Sequence, residues 1–201
     1  MVAMLEEEHR TESTRVSNSE RPLTARELFD VLPPLPGFRV EVIEGNLIVS
    51  PSGSPEHHSL PLKLHVALQP MLRELGLCSG AGGPNICIEG PRDSLVPDYV
   101  VYKSDCGRWG NELLSPGVLL AAEVVSPSSV RIDNEDKVRL YALGQVPIYL
   151  LIDPVSNTPG VTVFSDIKDD TYRTIVKVDM GTPVKLPPPV DFELDTSIFK
   201  V

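Results

Sequence analysis

Between His57 and Leu77 the apolar residues Leu60, Leu64, Leu68, Met71, Leu72 and Leu75 recur at steps of three and four. This is the stripe of an amphipathic helix that ends near Gly76. Pro61 fits its first turn, whereas Pro70 removes an interior hydrogen bond and clashes with the preceding turn, so a kink or two helical pieces are expected. Upstream, Thr24-Ala25-Arg26-Glu27 is a capping-box pattern followed by Leu28, Phe29, Val31 and Leu32, which predicts a short helix ending before Pro33-Pro34. From Phe38 to Ser50 two short alternating runs flank Glu44-Gly45-Asn46, the pattern of a β-hairpin.

The remaining apolar runs read as strands over 85–89, 97–102, 118–125, 148–152, 161–164 and 172–178. One helix interrupts them, from about Asp133 to Leu143, with Asp133 or Asn134 as its cap and Gly144 just past its end. Strand, helix and strand over 118–152 make a βαβ-like unit joined to hairpins on both sides. The expected fold is therefore α/β (α+β), a mixed β-sheet core flanked by helices. Residues 1–21 carry no sustained apolar period and are expected to form a disordered tail, leaving 22–201 as one domain. Pro187-Pro188-Pro189 leads to a short C-terminal strand or strap, and no internal repeat is present.

Composition changes this picture in two places. The chain has 201 residues, a length that suits one domain, and no apolar run long enough to span a bilayer, so a cytoplasmic protein without membrane contact is expected. Cys78, Cys87 and Cys106 are odd in number and form no Cys-x-x-Cys pair, which supports neither a disulfide framework nor a zinc ribbon. The formal net charge of -10 argues against a protein that coats nucleic acid, because such binding rests on basic residues that neutralise phosphates. Any nucleic-acid chemistry must then be concentrated in one local site.

Glu123 is the most informative position for such a site. The run 118–125 is otherwise wholly apolar and reads as a buried central strand, in which a carboxylate must be paired, protonated or bound to metal. Asp98 follows Pro97 at the start of another apolar strand. Two such strands side by side would bring both carboxylates together and supply the one or two that Mg2+ or Mn2+ takes from a protein. Such an ion can polarise a phosphoryl oxygen and acidify a water, the two effects phosphodiester hydrolysis needs. A nearby cation would be required to offset charge in the transition state.

Pro97-Asp98 followed by Glu123 resembles the PD-(D/E)xK nuclease signature, except that Val125 stands where its lysine belongs. The run 123–129, then Asp133, Lys137 and Tyr141, then Gly144 and the segment 149–154 is similar to the Uma-two family of bacterial endonucleases. The likeness also takes in 23–28, 41–48, Ser50-Pro51 and His57, and spans roughly 22–165. It implies a restriction-endonuclease-like fold and a lysine moved onto the following helix, at Lys137. On that basis the expected function is Mg2+- or Mn2+-dependent endonuclease cleavage of DNA. Asp98 and Glu123 would hold the metal, Lys137 would orient the attacking water, and Glu41 would add a carboxylate.

Plainer readings accompany each of these residues. Glu123 could pair with Arg131 or Arg139, Asp98 could cap a turn, and Lys137 could be a solvated helix lysine beside Asp133. Glu44 is better explained as a turn residue than Glu41, which lies inside a strand. His57 is a candidate proton carrier or phosphate contact, or a merely polar helix start beside His58. Ser126 could bind substrate or begin the Ser126-Pro127-Ser128-Ser129 turn. Gly80-Ala81-Gly82-Gly83 lacks the Lys-Ser/Thr of a phosphate-binding loop and reads as a hairpin turn, and Trp109 as a loop anchor. The alternative function is a catalytically inactive module that binds protein or nucleic acid, or forms a homodimer; RNA or a small phosphodiester would be a third substrate class.

Overall fold

The structure, a computed structural model, describes residues 23–90 and 92–200, so the expected tail over 1–21 lies outside the described residues. The chain runs in order through α1 (Ala25–Val31), β1 (Phe38–Ile43), β2 (Asn46–Pro51), α2 (Pro55–Leu75), β3 (Cys78–Ala81), β4 (Ile86–Cys87) and β5 (Ser94–Leu95). It continues through β6 (Tyr99–Tyr102), β7 (Arg108–Trp109), β8 (Glu112–Leu114), β9 (Val118–Val124), α3 (Lys137–Leu143), β10 (Ile148–Asp153), β11 (Gly160–Lys168) and β12 (Thr171–Asp179). A small hairpin, β13 (Val184–Leu186) with β14 (Phe192–Leu194), completes the order.

The central sheet has the order β12-β11-β10-β9-β6-β3, with β9 and β10 parallel and the other pairs antiparallel. A second sheet, β2-β1-β5-β4-β8-β7, packs beside it. The fold is thus the mixed α+β arrangement expected. Parallel β9 and β10 need a crossover, and α3 supplies it. Alternation from Leu120 onward along β9, after a register shift opposite Val101 and Tyr102 that turns Val118 to the other side, divides the apolar interior into two. Leu120, Ala122 and Val124 join Leu64 and Leu68 of α2, while Val118 and Ala121 join Leu140 and Tyr141 of α3 together with Ile86 and Leu95 of the second sheet. All seven residues of β9 are buried. Leu64 is fully enclosed against this sheet, so Leu64→Ala should lower the unfolding free energy by about 2 to 5 kcal/mol in a denaturant titration.

Local rules explain several boundaries. Thr24 and Glu27 form the capping box at the start of α1. The β1–β2 turn places Glu44 (φ 49°) and Gly45 (φ 70°) in the left-handed region, the two-residue turn that suits a twisted hairpin. The Asp93 carboxylate accepts from both of their backbone N–H groups, at 2.9 and 3.0 Å.

Three expectations need correction. Helix α2 starts at Pro55 behind the Ser54 cap, so Pro61 lies inside it, and it runs unbroken through Pro70. Pro70 and Val66 are both exposed, so the Val66 carbonyl that Pro70 leaves without its N–H partner can be met by water. Gly80 and Ala81 belong to β3 and pair with β6, so only Gly82-Gly83 turns the chain. Asp133 does not cap its helix: it is buried in a π-helical turn, Ile132–Asp136, where the N–H of Lys137 bonds to the carbonyl of Ile132. Sequence periodicity assumes a constant 3.6 residues per turn and cannot reveal such a wider turn.

Candidate active site

Strands β6 and β9 pair with Tyr99 opposite Ala122, which sets Asp98 beside Glu123. The N–H of Val124 donates to Asp98 Oδ2 at 2.8 Å and fixes that register. Glu123 shares the face of Ala121, toward α3. There Lys137 Nζ donates to Glu123 Oε1 at 2.8 Å, and the Tyr141 hydroxyl donates to the same oxygen at 2.8 Å. Lys137 and Tyr141 are four apart on one face of α3 and so approach the carboxylate together.

The π turn brings Asp133 to the same place. Its Oδ1 lies 3.5 Å from Lys137 Nζ, and its carbonyl accepts from the Tyr149 hydroxyl at 2.8 Å, which ties the turn to β10. Glu41 closes the cluster from β1, with Oε1 3.3 Å from Lys137 Nζ and 2.8 Å from the donating N–H of Val96. Arg39 stands two residues before it on the same face. Arg39 Nη2 reaches Asp98 Oδ1 at 2.6 Å, and Nη1 is 4.0 Å from Glu123 Oε2. From the first turn of α2, His57 Nε2 lies 3.2 Å from Asp98 Oδ2.

Electrostatics follow from this crowding. Glu41, Asp98, Glu123 and Asp133 are all buried and share the cleft with only two fixed cations, Arg39 and Lys137, so four ionised carboxylates would not be balanced. Burial, opposed by the Lys137 ammonium but reinforced by Asp98, Asp133 and Glu41, pushes the Glu123 carboxyl up to about 8. Burial also dominates at Asp133, and its carboxyl is raised. At Asp98 burial pushes upward too, but the His57 hydrogen bond and the Arg39 charge prevail and hold the carboxyl well below the usual range. Burial would discharge Lys137, yet Glu123, Glu41 and Asp133 keep its ammonium firmly protonated. Tyr141→Phe removes one of two donors to Glu123 Oε1 and should cost about 1.5 to 3 kcal/mol, read from thermal or denaturant unfolding.

These groups line a cleft of about 680 Å³. Its rim comes from the β2–α2 connection, 50–54, and the turn after β9, 126–129. Ser126 lines the cleft but is held within its turn, its Oγ 3.0 Å from Ser129 Oγ and 3.2 Å from Ser128 Oγ. Arg131 pairs with Asp136, and Arg139 with Glu44 and Asp136, so neither serves Glu123. Trp109 lies in β7, with the Arg92 guanidinium 4.1 Å above its ring. Among the described residues no three His, Cys, Asp or Glu side chains converge closely enough to hold a metal alone. Hard oxygen donors, four carboxyl groups against two fixed cations and an open cleft nevertheless fit Mg2+, which takes only one or two carboxylates and fills its other positions with water.

Sequence reasoning missed Arg39 and Tyr141. Arg39 alternates with Glu41 along β1, a signal that was present once Glu41 was singled out. Tyr141 entered as a position of the family likeness, with no role, and nothing in the sequence separates a core tyrosine from one whose hydroxyl meets a carboxylate.

Comparison with known proteins agrees with this architecture. No curated protein sequence matches the chain. A solved structure of a protein described as a "putative nuclease" from Anabaena variabilis superposes with a TM-score of 0.69 at 18% identity, covering 89% of this chain and 97% of that one. At that identity the likeness establishes the shared fold. The family model described as "Uma2: Putative restriction endonuclease" matches residues 26–197, a range holding every residue of the cluster, and the chain belongs to the Uma2 family.

Proposed function

We propose that the cleft hydrolyses phosphodiester bonds of DNA with a bound Mg2+ or Mn2+. One observation carries the reading: Asp98, Glu123 and Lys137 meet on adjacent elements in an open cleft whose buried carboxylates exceed its cations by two. Membership of a family described as restriction endonucleases supports it. Asp98 and Glu123 would hold the ion, with Oε1 of Glu123 engaged by Lys137 and Tyr141 and Oε2 on the side of Arg39 and Asp98. When bound, the ion supplies Lewis-acid polarisation of the phosphoryl oxygen and a more acidic water.

The protein's own groups do the rest. Lys137 stays charged at the cleft, aligns the nucleophile by hydrogen bonding and offsets the negative charge that develops on the phosphate. Glu41 and Asp133 hold that ammonium from two further directions, so it needs no reorganisation during the reaction. His57, beside Asp98, contacts the phosphate or carries a proton, and Ser126 offers a hydroxyl at the rim.

The test is cleavage of plasmid and linear DNA with Mg2+, with Mn2+ and with excess chelator. Nicking or cutting is expected with either ion and none with chelator, and activity that survives both Glu123→Ala and Lys137→Ala would sink the assignment. The net charge of -10 favours a second reading, a non-catalytic module of the same fold that captures a partner. Calorimetry showing partner capture without any Mg2+ or Mn2+ binding would establish it.

A further inference from the structure

The cleft contains three cationic or potentially cationic side chains, and they are not equivalent. Lys137 lines the cleft but is fixed among three carboxylates at 2% exposure, so it can act on a nucleophile beside it and cannot swing out to a phosphate. His57 meets Asp98 from the capped start of a long helix. Arg39 alone bridges both prospective metal carboxylates, reaching Asp98 at 2.6 Å and standing 4.0 Å from Glu123. It therefore occupies the gap in which an ion shared by those two oxygens would sit. Its side chain is more exposed than theirs, at 17%. It also borders two cavities, the cleft and an adjoining groove of about 600 Å³ beside Pro33–Pro36 and Phe38, so it has space to move.

We infer that Arg39 is the residue that grips the substrate phosphate in the metal-loaded site, and that without metal it is parked on Asp98 as a stand-in cation. The inference rests on the metal-dependent reading above. A dication held by Asp98 and Glu123 takes over the charge that Arg39 balances, and its like charge expels the guanidinium from the gap. The freed group is a planar fork whose geometry matches two phosphate oxygens, which a lysine cannot reproduce. The substrate class is thus any phosphodiester whose bridging phosphate reaches the cleft, gripped through its two non-bridging oxygens and not through its bases.

The experiment compares the wild type with Arg39→Met and Arg39→Lys. Calorimetric titration with Mn2+ and with Ca2+ reads the parking: loss of a competitor that fills the gap nine times in ten should tighten Mn2+ binding about tenfold in Arg39→Met. Binding of a short fluorescent oligonucleotide in Ca2+ reads the grip. It should weaken at least about tenfold in Arg39→Met, by loss of a charge-assisted contact, and recover only in part in Arg39→Lys. A side-chain NMR titration of the wild type with Mg2+ separates displacement from simple charge removal, because the Arg39 guanidinium signals should leave their paired position in step with metal occupancy.

Wild-type metal binding that Arg39→Met leaves unchanged, or Arg39 signals unmoved at saturating Mg2+, overturns the inference and leaves the metal reading standing. Tighter metal binding with undiminished oligonucleotide binding also overturns it. If neither wild type nor Arg39→Met binds metal, the metal reading falls and the inference falls with it. Metal binding that appears only in Arg39→Met means that the ion does not displace the guanidinium in the wild type, and overturns the inference.

Discussion

Lys137→Met should lower the unfolding free energy by about 3 to 5 kcal/mol, because it strands carboxylates in a buried site without their counter-ion. Lys137 Nζ lies within 3.5 Å of Glu123, Glu41 and Asp133, and among the described residues no other cation pairs with all three. Removing it also withdraws the charge that opposes the burial-driven rise of the Glu123 carboxyl. The expected signature is non-additivity. Lys137→Met combined with Glu123→Gln should recover a large part of the loss, since the second change removes the stranded charge that the first exposes. Equilibrium unfolding in urea measures all three variants. A loss below about 1 kcal/mol for Lys137→Met would be the cost of an exposed pair and would contradict the buried cluster.

The second large effect is expected on activity, with stability nearly unchanged. Glu123→Gln keeps the shape of the side chain and an oxygen for Tyr141 and Lys137, and it replaces a carboxyl that burial has already pushed up to about 8, so unfolding without metal near neutral pH should stay within about 1 kcal/mol of the wild type. Cleavage should fall by about 100- to 1000-fold or more, the loss seen when one electrostatic contributor to a transition state is removed. A separate readout isolates the cause. A ligand at 100 times its dissociation constant stabilises a protein by about 2.7 kcal/mol, so Mn2+ should raise the wild-type unfolding midpoint and leave Glu123→Gln unmoved. An equal Mn2+ shift in both proteins would remove Glu123 from the metal site.

The sheet and its βαβ crossover were legible because β9 is buried throughout and β10 over 148–152, and both read as almost wholly apolar runs between turn signals. Glu123 was legible for the same reason, since one carboxylate in such a run has to be explained. The short strands β5, β7 and β8 were not delimited, and β4 is shorter than the run 85–89 that marked it, for two or three residues carry no periodicity. Arg39 was passed over because on an alternating hairpin strand a polar residue reads as facing water, whereas the face it shares with Glu41 lines the cleft. Asp133 looked like a helix cap because Ser, Asp and Asn before an apolar stripe mark helix starts in general. The helical stretch begins earlier, near Val130, which left Asp133 free to turn inward.

The π turn between Ile132 and Asp136 has a consequence for recognising relatives. Each residue added to or removed from a helical turn rotates everything after it by about 100°, so here the lysine reaches Glu123 through the width of one local turn and not through a set number of intervening positions. A motif written as carboxylate, fixed gap, lysine would pass over this chain. A search keyed to a buried acid on one strand and a lysine on the next helix, with the gap left elastic, would recover it, and would also find chains in which that turn has been gained or lost.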